Sequence, residues 1–213
     1  MIGKGANPGT WNGRIYRNTI EMEKDLFQTI YDHPLLRTED YKEIRKAHTR
    51  IEFSEGALLL ENGRIAKEFY IIEKGLLRSF VHDYHGNEIT TGFYCPKEIL
   101  IESFSLFHRI PSKESFQAIS DGAAWKIEYD TFQELLHRME GFREWGRAWA
   151  THQLFVLKQR SIDLLTVSAT ERYLHLIKER PQIIKLSPLK YIASYLGITD
   201  TSLSRIRKEI AAS

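Results

Sequence analysis

Short hydrogen-bonding and cationic side chains recur along one side of the segment near the C-terminal end of the chain. Within residues 199–210, apolar residues repeat at the three- and four-residue spacing of a buried helix face, at Leu203, Ile206 and Ile210. The opposite side has no apolar residue and presents Thr201, Ser204, Arg205 and Lys208. Hydroxyl and guanidinium groups bind phosphate oxygens and the polar groups on base edges. This side of the helix therefore has the chemistry needed to bind a DNA duplex.

Each polar residue of this segment has an expected partner on DNA. Arg205 can donate two hydrogen bonds to guanine, and Asp200 or Thr201 can meet the amino groups of cytosine or adenine. Asp200 complements the helix dipole but repels phosphate unless it finds such an amino group. The hydroxyls of Thr199 and Ser202 suit phosphate, together with the free N–H groups at the helix start. The predicted DNA-binding residues are Thr199, Asp200, Thr201, Ser202, Ser204, Arg205 and Lys208.

The preceding segment predicts a second helix that holds this face outward. Ser187 followed by Pro188 indicates a helix start, with Ser187 as the cap and proline at the first helical position. Gly197 supplies the left-handed residue that a sharp turn after a helix requires, and Thr199 caps the next helix. The two helices are predicted to form a helix-turn-helix, whose second helix fits the major groove.

The segment 142–165 predicts a long helix with two apolar rows. Trp145, Trp149, His152 and Val156 form one row, and Leu154, Leu157 and Leu164 form the other. One face can cover a neighbouring domain, and the other needs a partner, for which a second copy of the same helix is the simplest choice. We predict that Trp145, Trp149, His152 and Val156 form the dimer interface; burial of the whole helix within one subunit is the alternative.

The region before this helix has the pattern of a β-rich domain. Short β-prone runs alternate with glycine-containing turns, at residues 50–53, 57–60, 68–72, 76–82, 88–94, 115–120 and 124–129. This spacing is typical of a sandwich or barrel-like roll. Short helices are predicted at residues 19–33, 38–47 (capped by Thr38) and 131–138, and a helix at 169–179 is predicted to stop at Pro181.

Composition and charge narrow the class of protein. Residues 1–140 hold 18 basic and 22 acidic side chains, whereas residues 141–213 hold 12 and 6, so the C-terminal part is suited to a polyanion. No run approaches the roughly 18 apolar residues that span a bilayer. The single cysteine, Cys95, excludes an internal disulfide and favours a cytoplasmic location. His82 and His85 lack a third ligand, so no metal site is predicted. No nucleophile and base are paired, so no enzyme is predicted.

The order of these parts resembles the CRP/FNR superfamily of bacterial transcription regulators, over nearly all of residues 20–213. The segments that carry the resemblance are EFYIIEKGLLRSF (68–80) and LKYIASYLGITDTSLSRIRKEI (189–210), with the long helix between them. The stretch ATERYLHLIKERP (169–181) and an end directly after the second helix look most like members from Bacteroidetes-type bacteria. The resemblance implies a homodimer that binds a palindromic site on double-stranded DNA, with RNA polymerase as a further partner.

The implied fold class is α+β. An N-terminal β-roll, of the double-stranded β-helix or jelly-roll type found in cyclic nucleotide-binding domains, is joined by a long dimerisation helix to an all-α helix-turn-helix domain. The expected division is a flexible lead-in (1–18), a sensor roll (19–140), the dimerisation helix (141–166) and the DNA-binding domain (167–213).

The resemblance also locates a candidate effector site. In family members that bind cyclic AMP, a Gly-Glu pair holds the ribose, and an Arg-Ser segment ten residues later holds the phosphate. Matching the surrounding strands places Ile101-Glu102 on the first and Ser112-Lys113-Glu114 on the second. Serine at the arginine position removes the charge-assisted clamp on the phosphate. Strand alternation points the Lys113 side chain away from the site, and the Glu114 carboxylate repels phosphate.

Cyclic AMP is therefore not the expected ligand. The candidate effector residues are Glu102, Ser112 and Lys113, for a small molecule of unknown identity, and no cofactor is required. Two other classes of function stay open. One is a ligand-binding or interaction module whose helical tail contacts protein rather than DNA, and the other is an enzyme that uses the pocket of the roll. Salt-dependent DNA binding separates the regulator from both.

Overall fold

The computed structural model describes residues 25–212, so the predicted lead-in, 1–18, and the first part of the predicted helix at 19–33 lie outside the described residues. Two short helices come first, α1 (Leu26–Ile30) and α2 (Thr38–Lys46). The strands are β1 (Thr49–Phe53), β2 (Leu58–Leu60), β3 (Glu68–Lys74), β4 (Leu77–His82), β5 (Glu88–Tyr94), β6 (Ile99–Leu100), β7 (Ser115–Ala118) and β8 (Gly122–Glu128). The later helices are α3 (Ser103–His108), α4 (Tyr129–Arg138), α5 (Glu140–Thr166), α6 (Ala169–Glu179), α7 (Pro181–Leu186), α8 (Leu189–Tyr195) and α9 (Asp200–Ala211).

The strands form two antiparallel four-stranded sheets that pack face to face. Their orders are β1-β8-β3-β6 and β2-β7-β4-β5. Consecutive strands fall in different sheets except at the β4–β5 hairpin, which is the arrangement of a roll. The predicted α+β fold, with a β-roll followed by helices, is confirmed. β5 lies at the edge of its sheet, and this position matters for the attachment of the helices.

The first hydrophobic core fills the roll and extends to the N-terminal end of α5. Phe142 and Trp145 contact Tyr31 of the segment after α1, with ring centroids 5.1 and 4.4 Å away. The Trp145 indole Nε1 also donates to the Ile30 carbonyl at 2.8 Å. Because these aromatic rings are buried together, the start of the long helix is fixed to the roll of its own subunit.

A second core holds the C-terminal helices against the other side of the β4–β5 sheet. Leu76, Phe93 and Ile119 of the roll are buried with Tyr173, Ile192 and Leu203 of the helical part. Phe93 and Tyr195 make an edge-to-face contact with ring centroids 5.1 Å apart. The helix-turn-helix is therefore packed on its own roll.

Several local expectations need correction. Thr38 is the first helical residue of α2 rather than its cap, because Arg37 takes the cap position and its N–H donates to Asp40. Pro188 takes the cap position of α8, one residue after the predicted Ser187. α6 stops before Pro181, but helical structure resumes at once, because Pro181 is the first residue of α7. Its missing N–H is harmless at that position. β6, α3 and α7 were not predicted.

Candidate nucleic-acid interface

The turn between α8 and α9 has the hydrogen bonds of a Schellman motif. The Ile198 N–H donates to Ala193 O at 3.0 Å, and the Gly197 N–H donates to Ser194 O at 3.0 Å. Gly197 has a φ of +69°, as the sequence predicts. These bonds end α8 and redirect the chain, so that α9 crosses α8 at a short distance.

The start of α9 is capped by Thr199. Its Oγ1 accepts from the Ser202 N–H at 3.2 Å and lies 3.0 Å from the Ser202 Oγ, to which it donates. The proton of the Thr199 hydroxyl is therefore used within the helix start. The Ser202 hydroxyl can still donate outward, so of this pair Ser202 is the better phosphate donor.

The two sides of α9 differ as the sequence predicts. Leu203 and Ile206 are buried in the second core, and Ile210 packs against it. The exposed side carries Thr201, Ser204, Arg205 and Lys208, with Thr199 and Asp200 exposed at the helix start. The Arg205 side chain is 76% exposed and forms a distant ion pair with Glu209 at 3.8 Å. A continuous polar and cationic surface one helix wide is thus free to contact a ligand.

Two arginines that sequence reasoning missed hold the C-terminal end of α8. Arg172 of α6 donates to Leu196 O at 2.8 Å, and Arg160 of α5 lies over the Tyr195 ring at 4.2 Å and donates to Tyr195 O. The last carbonyls of a helix lack partners within it and carry partial negative charge. The guanidinium groups satisfy them and so fix the turn that precedes α9. Their spacing along the chain gives no signal of this role.

The long helix presents its two apolar rows differently from the prediction. Trp145 is only 5% exposed and belongs to the core of its own subunit, which leaves little of its side chain for the predicted dimer interface. Trp149 also packs against that core, whereas His152 and Val156 are exposed. The physical reason is that Trp145 packs against Tyr31 and Trp149 stacks on Trp145, so the subunit itself covers the first part of this row.

The other row of α5 is uncovered along its length in the described subunit, as are Phe155 and Val156 beside it. Exposed residues along it recur at alternating spacings of three and four, at Ala150, Leu154, Leu157, Ser161 and Leu164. Leu154 is 67% exposed. This spacing is typical of the seam of a two-stranded coiled coil.

The candidate effector residues do not converge on one point. Glu102 caps α3, where its carboxylate accepts from the Ser105 N–H. Ser112 is buried, and its hydroxyl donates to Glu114 O at 2.9 Å within its own turn. The Lys113 side chain is exposed, and its carbonyl accepts from the Asn62 amide. Each predicted residue thus has a local structural role.

Polar side chains from β4, from β5 and from the segment just before β7 meet beside this region. The Ser79 and Thr91 hydroxyls are 2.7 Å apart, and Ser79 lies 3.4 Å from the Tyr94 hydroxyl. Desolvation raises the pKa of Tyr94 to about 12. Desolvation also raises the pKa of Glu114, which hydrogen-bonds Thr91. Sequence reasoning treated only Glu114 of this group, and only as a source of repulsion.

Other candidate chemistry receives no further support. Among residues 25–212, no three His, Cys, Asp or Glu side chains come together as a metal site. His82 instead contacts Phe80, and His85 stacks on Tyr84. None of the helices in the described part of the chain combines the length and apolar character needed to cross a membrane.

Comparison with known proteins places the roll in a recognised class. The family model described as "Cyclic nucleotide-binding domain" matches residues 50–139. Residues 50–139 are therefore similar to cyclic nucleotide-binding domains. A cAMP-dependent protein kinase type II regulatory subunit from Drosophila melanogaster is 23% identical over 126 residues, covering 57% of this chain and 32% of that protein. The present chain thus spans about a third of the length of that relative.

Longer similarities include the C-terminal helices. The fumarate and nitrate reduction regulatory protein of Yersinia pestis is 22% identical over 189 residues, covering 84% of this chain and 73% of that protein. The crystal structure of an Eubacterium rectale protein assigned to the CRP/FNR family superposes with a TM-score of 0.64 at 15% identity, covering 84% of this chain and 87% of that one. The chain has the fold of the CRP/FNR regulators, so the resemblance expected from the sequence is confirmed at the level of the fold.

Proposed function

We propose that the protein is a dimeric, sequence-specific DNA-binding transcription regulator of the CRP/FNR type, acting in the cytoplasm with RNA polymerase as a partner. It is a binding protein and not an enzyme. The observation that carries this proposal is the exposed polar side of α9, from Thr199 to Lys208, on a helix whose apolar side is anchored in the second core.

The arrangement of α9 suits direct readout of bases. Arg205 is exposed and can place two donors on guanine, while Thr201 and Ser204 are short enough to let the helix approach the groove floor. Lys208 and the Ser202 hydroxyl suit phosphates on either side. Asp200 at the N-terminal end selects an amino group, because a phosphate at this position would be repelled.

Dimerisation is proposed through the uncovered leucine row of α5. Leu154, Leu157 and Leu164 would each leave a large apolar side chain in water in a monomer. Two copies of α5 packed along this row would bury them in pairs, as in a coiled coil. A two-fold axis through α5 would then place two α9 helices on one side, as a palindromic site requires.

The effector region supports a sensor that does not bind cyclic AMP in the usual way. Ser112 is turned back on its own backbone, and Glu114 adds a carboxyl group beside Glu102. A cyclic phosphate placed here would meet two carboxyl groups and no arginine at position 112. Any effector of this roll would therefore carry donor groups rather than a phosphate at this point.

Selection of bound sequences from a random duplex pool tests the proposal, with and without cyclic AMP. The expected result is an enriched inverted repeat that is the same in both arms, bound with an affinity that falls steeply with salt. No enriched sequence, or binding to duplex that is weak and independent of salt, would favour an interaction module without DNA binding. Strict dependence on cyclic AMP would contradict the interpretation of Ser112.

A further inference from the structure

β5 is an edge strand whose backbone groups are bound by side chains of the helical part. An edge strand leaves one row of N–H and C=O groups without a neighbouring strand. Here the Thr90 N–H donates to the Ser194 Oγ of α8 at 3.1 Å. The Phe93 carbonyl accepts from Arg180 at 3.0 Å, and the Thr91 carbonyl accepts from Arg160. The edge is thus covered by Ser194 of α8, Arg160 of α5 and Arg180 between α6 and α7.

Arg160 connects three parts of the subunit. It lies on α5, and its guanidinium donates to Thr91 O of the roll and, at 3.5 Å, to Tyr195 O of α8. Thr91 is the extra residue of a β-bulge, because the register of β4 and β5 skips it. Its hydroxyl points to Ser79 inside the roll while its carbonyl points to Arg160. The bulge therefore joins the roll interior to the edge contact.

Arg180 makes a second bridge of the same kind. It lies between α6 and α7, and besides Phe93 O it binds the Glu98 carboxylate. A third contact comes from the roll side, where the buried Arg78 lies beneath the Tyr191 ring of α8 with its guanidinium carbon 3.4 Å from the ring centroid. The helical part is thus held at several points along one strand.

We propose that Arg160 and Arg180 are positioning residues. By binding the carbonyls at the edge of β5, they hold the helix-turn-helix in one orientation relative to α5. In a dimer joined along α5, this orientation fixes the distance and angle between the two α9 helices. The second part rests on the proposed function, because it assumes a dimer that binds two half-sites.

Hydrogen exchange measured by mass spectrometry on the full-length protein tests the first part without DNA. Arg160→Met and Arg180→Met keep much of the side-chain volume and remove the donors. Loss of a charge-assisted hydrogen bond should speed exchange in residues 88–95 and 189–196 by about tenfold or more. Arg160→Lys, which can keep one of the two carbonyl contacts, should give an intermediate rate.

Two controls separate positioning from general stabilisation. Lys158→Met removes an exposed charge two residues from Arg160 on the same helix and should exchange like the wild type. Peptides from β8, inside the roll, should keep their wild-type rates in every variant. Unchanged exchange of residues 88–95 in Arg160→Met would overturn the proposal. Equal acceleration in β8 would overturn it as well, because the arginine would then stabilise the whole subunit.

Binding to duplexes with altered half-site spacing tests the second part. Each added base pair rotates one half-site by about 34° around the duplex, so the wild type should lose about tenfold or more in affinity when two base pairs are inserted. Arg160→Met should lose markedly less, while binding a single half-site as the wild type does. Faster exchange with an unchanged spacing preference would overturn the claim that the arginines set the spacing.

The exchange and spacing experiments distinguish failure of this proposal from failure of the proposed function. If the wild type binds no duplex, the regulator assignment and the spacing claim both fail. The exchange measurement then still decides whether the arginines hold the helix-turn-helix on the roll.

Discussion

Leu157 tests which row of the long helix meets a second copy. Leu157 is 59% exposed in the subunit, and full burial of a leucine contributes about 1.5–3 kcal/mol. Burying its exposed part is thus worth about 1–2 kcal/mol per side chain, and a dimer buries two copies. Leu157→Lys should weaken dimerisation by about 2–4 kcal/mol, or about 30- to 700-fold in Kd, before repulsion between the two lysines is added.

The neighbouring residue provides a matched control. Val156 is 47% exposed but lies on the tryptophan row, so Val156→Lys should leave the dimer Kd within a few-fold of the wild type. Sedimentation equilibrium over a range of concentrations measures all three proteins. Equal dimerisation of Leu157→Lys and the wild type would refute the leucine seam. If Val156→Lys alone lost the dimer, the interface would lie on the tryptophan row, as the sequence predicts.

Two further predictions concern the stability of the subunit. Gly197 has a φ of +69°, and an added Cβ would meet only Leu164 at 3.8 Å. Gly197→Ala should therefore cost backbone strain alone, about 1 kcal/mol of stability and about 2–4 °C in Tm, and Gly197→Asn should lie closer to the wild type. An unchanged Tm for Gly197→Ala would contradict the left-handed turn. Burial lowers the pKa of His48 from 6.5 to about 4. Because the unfolded chain then binds the proton first, urea denaturation should show stability falling by about 2–3 kcal/mol between pH 6.5 and 4.5 through this group. His48→Gln should lack this component, and an identical pH dependence in that variant would contradict the shift.

Local patterns were sufficient to predict the strands and the helix-turn-helix. The glycines at 63, 75 and 86 have positive φ in the structure, so turn chemistry marked the strand ends. In α9 the apolar spacing alone indicated which side is buried. Short elements without such a pattern were missed. β6 has only two residues, and α3 follows Glu102, whose capping carboxylate was matched instead to the ribose-binding position of the family.

Features that depend on distant contacts could not be predicted from the sequence. Both rows of α5 are apolar, and only the position of Tyr31, more than a hundred residues earlier, decides that Trp145 is buried. In the same way, Arg160 and Arg180 resemble ordinary surface arginines until β5 lies beside them. The Ser112 hydroxyl is the converse case, because its hydrogen bond lies within its own turn and no sequence pattern indicates it.

The base preference of an α9 variant tests the central claim most directly. On the selected inverted repeat, Arg205→Ala should lose about 1–3 kcal/mol and lose its preference at one symmetry-related base pair in each half-site. Arg207→Ala removes an equally charged residue on the same helix that is also exposed but lies off the polar row, and it should weaken binding without changing the preferred sequence. The insertion of this side of α9 into the groove would be contradicted if Arg205→Ala kept the wild-type base preference. It would also be contradicted if both variants lost the same base preference.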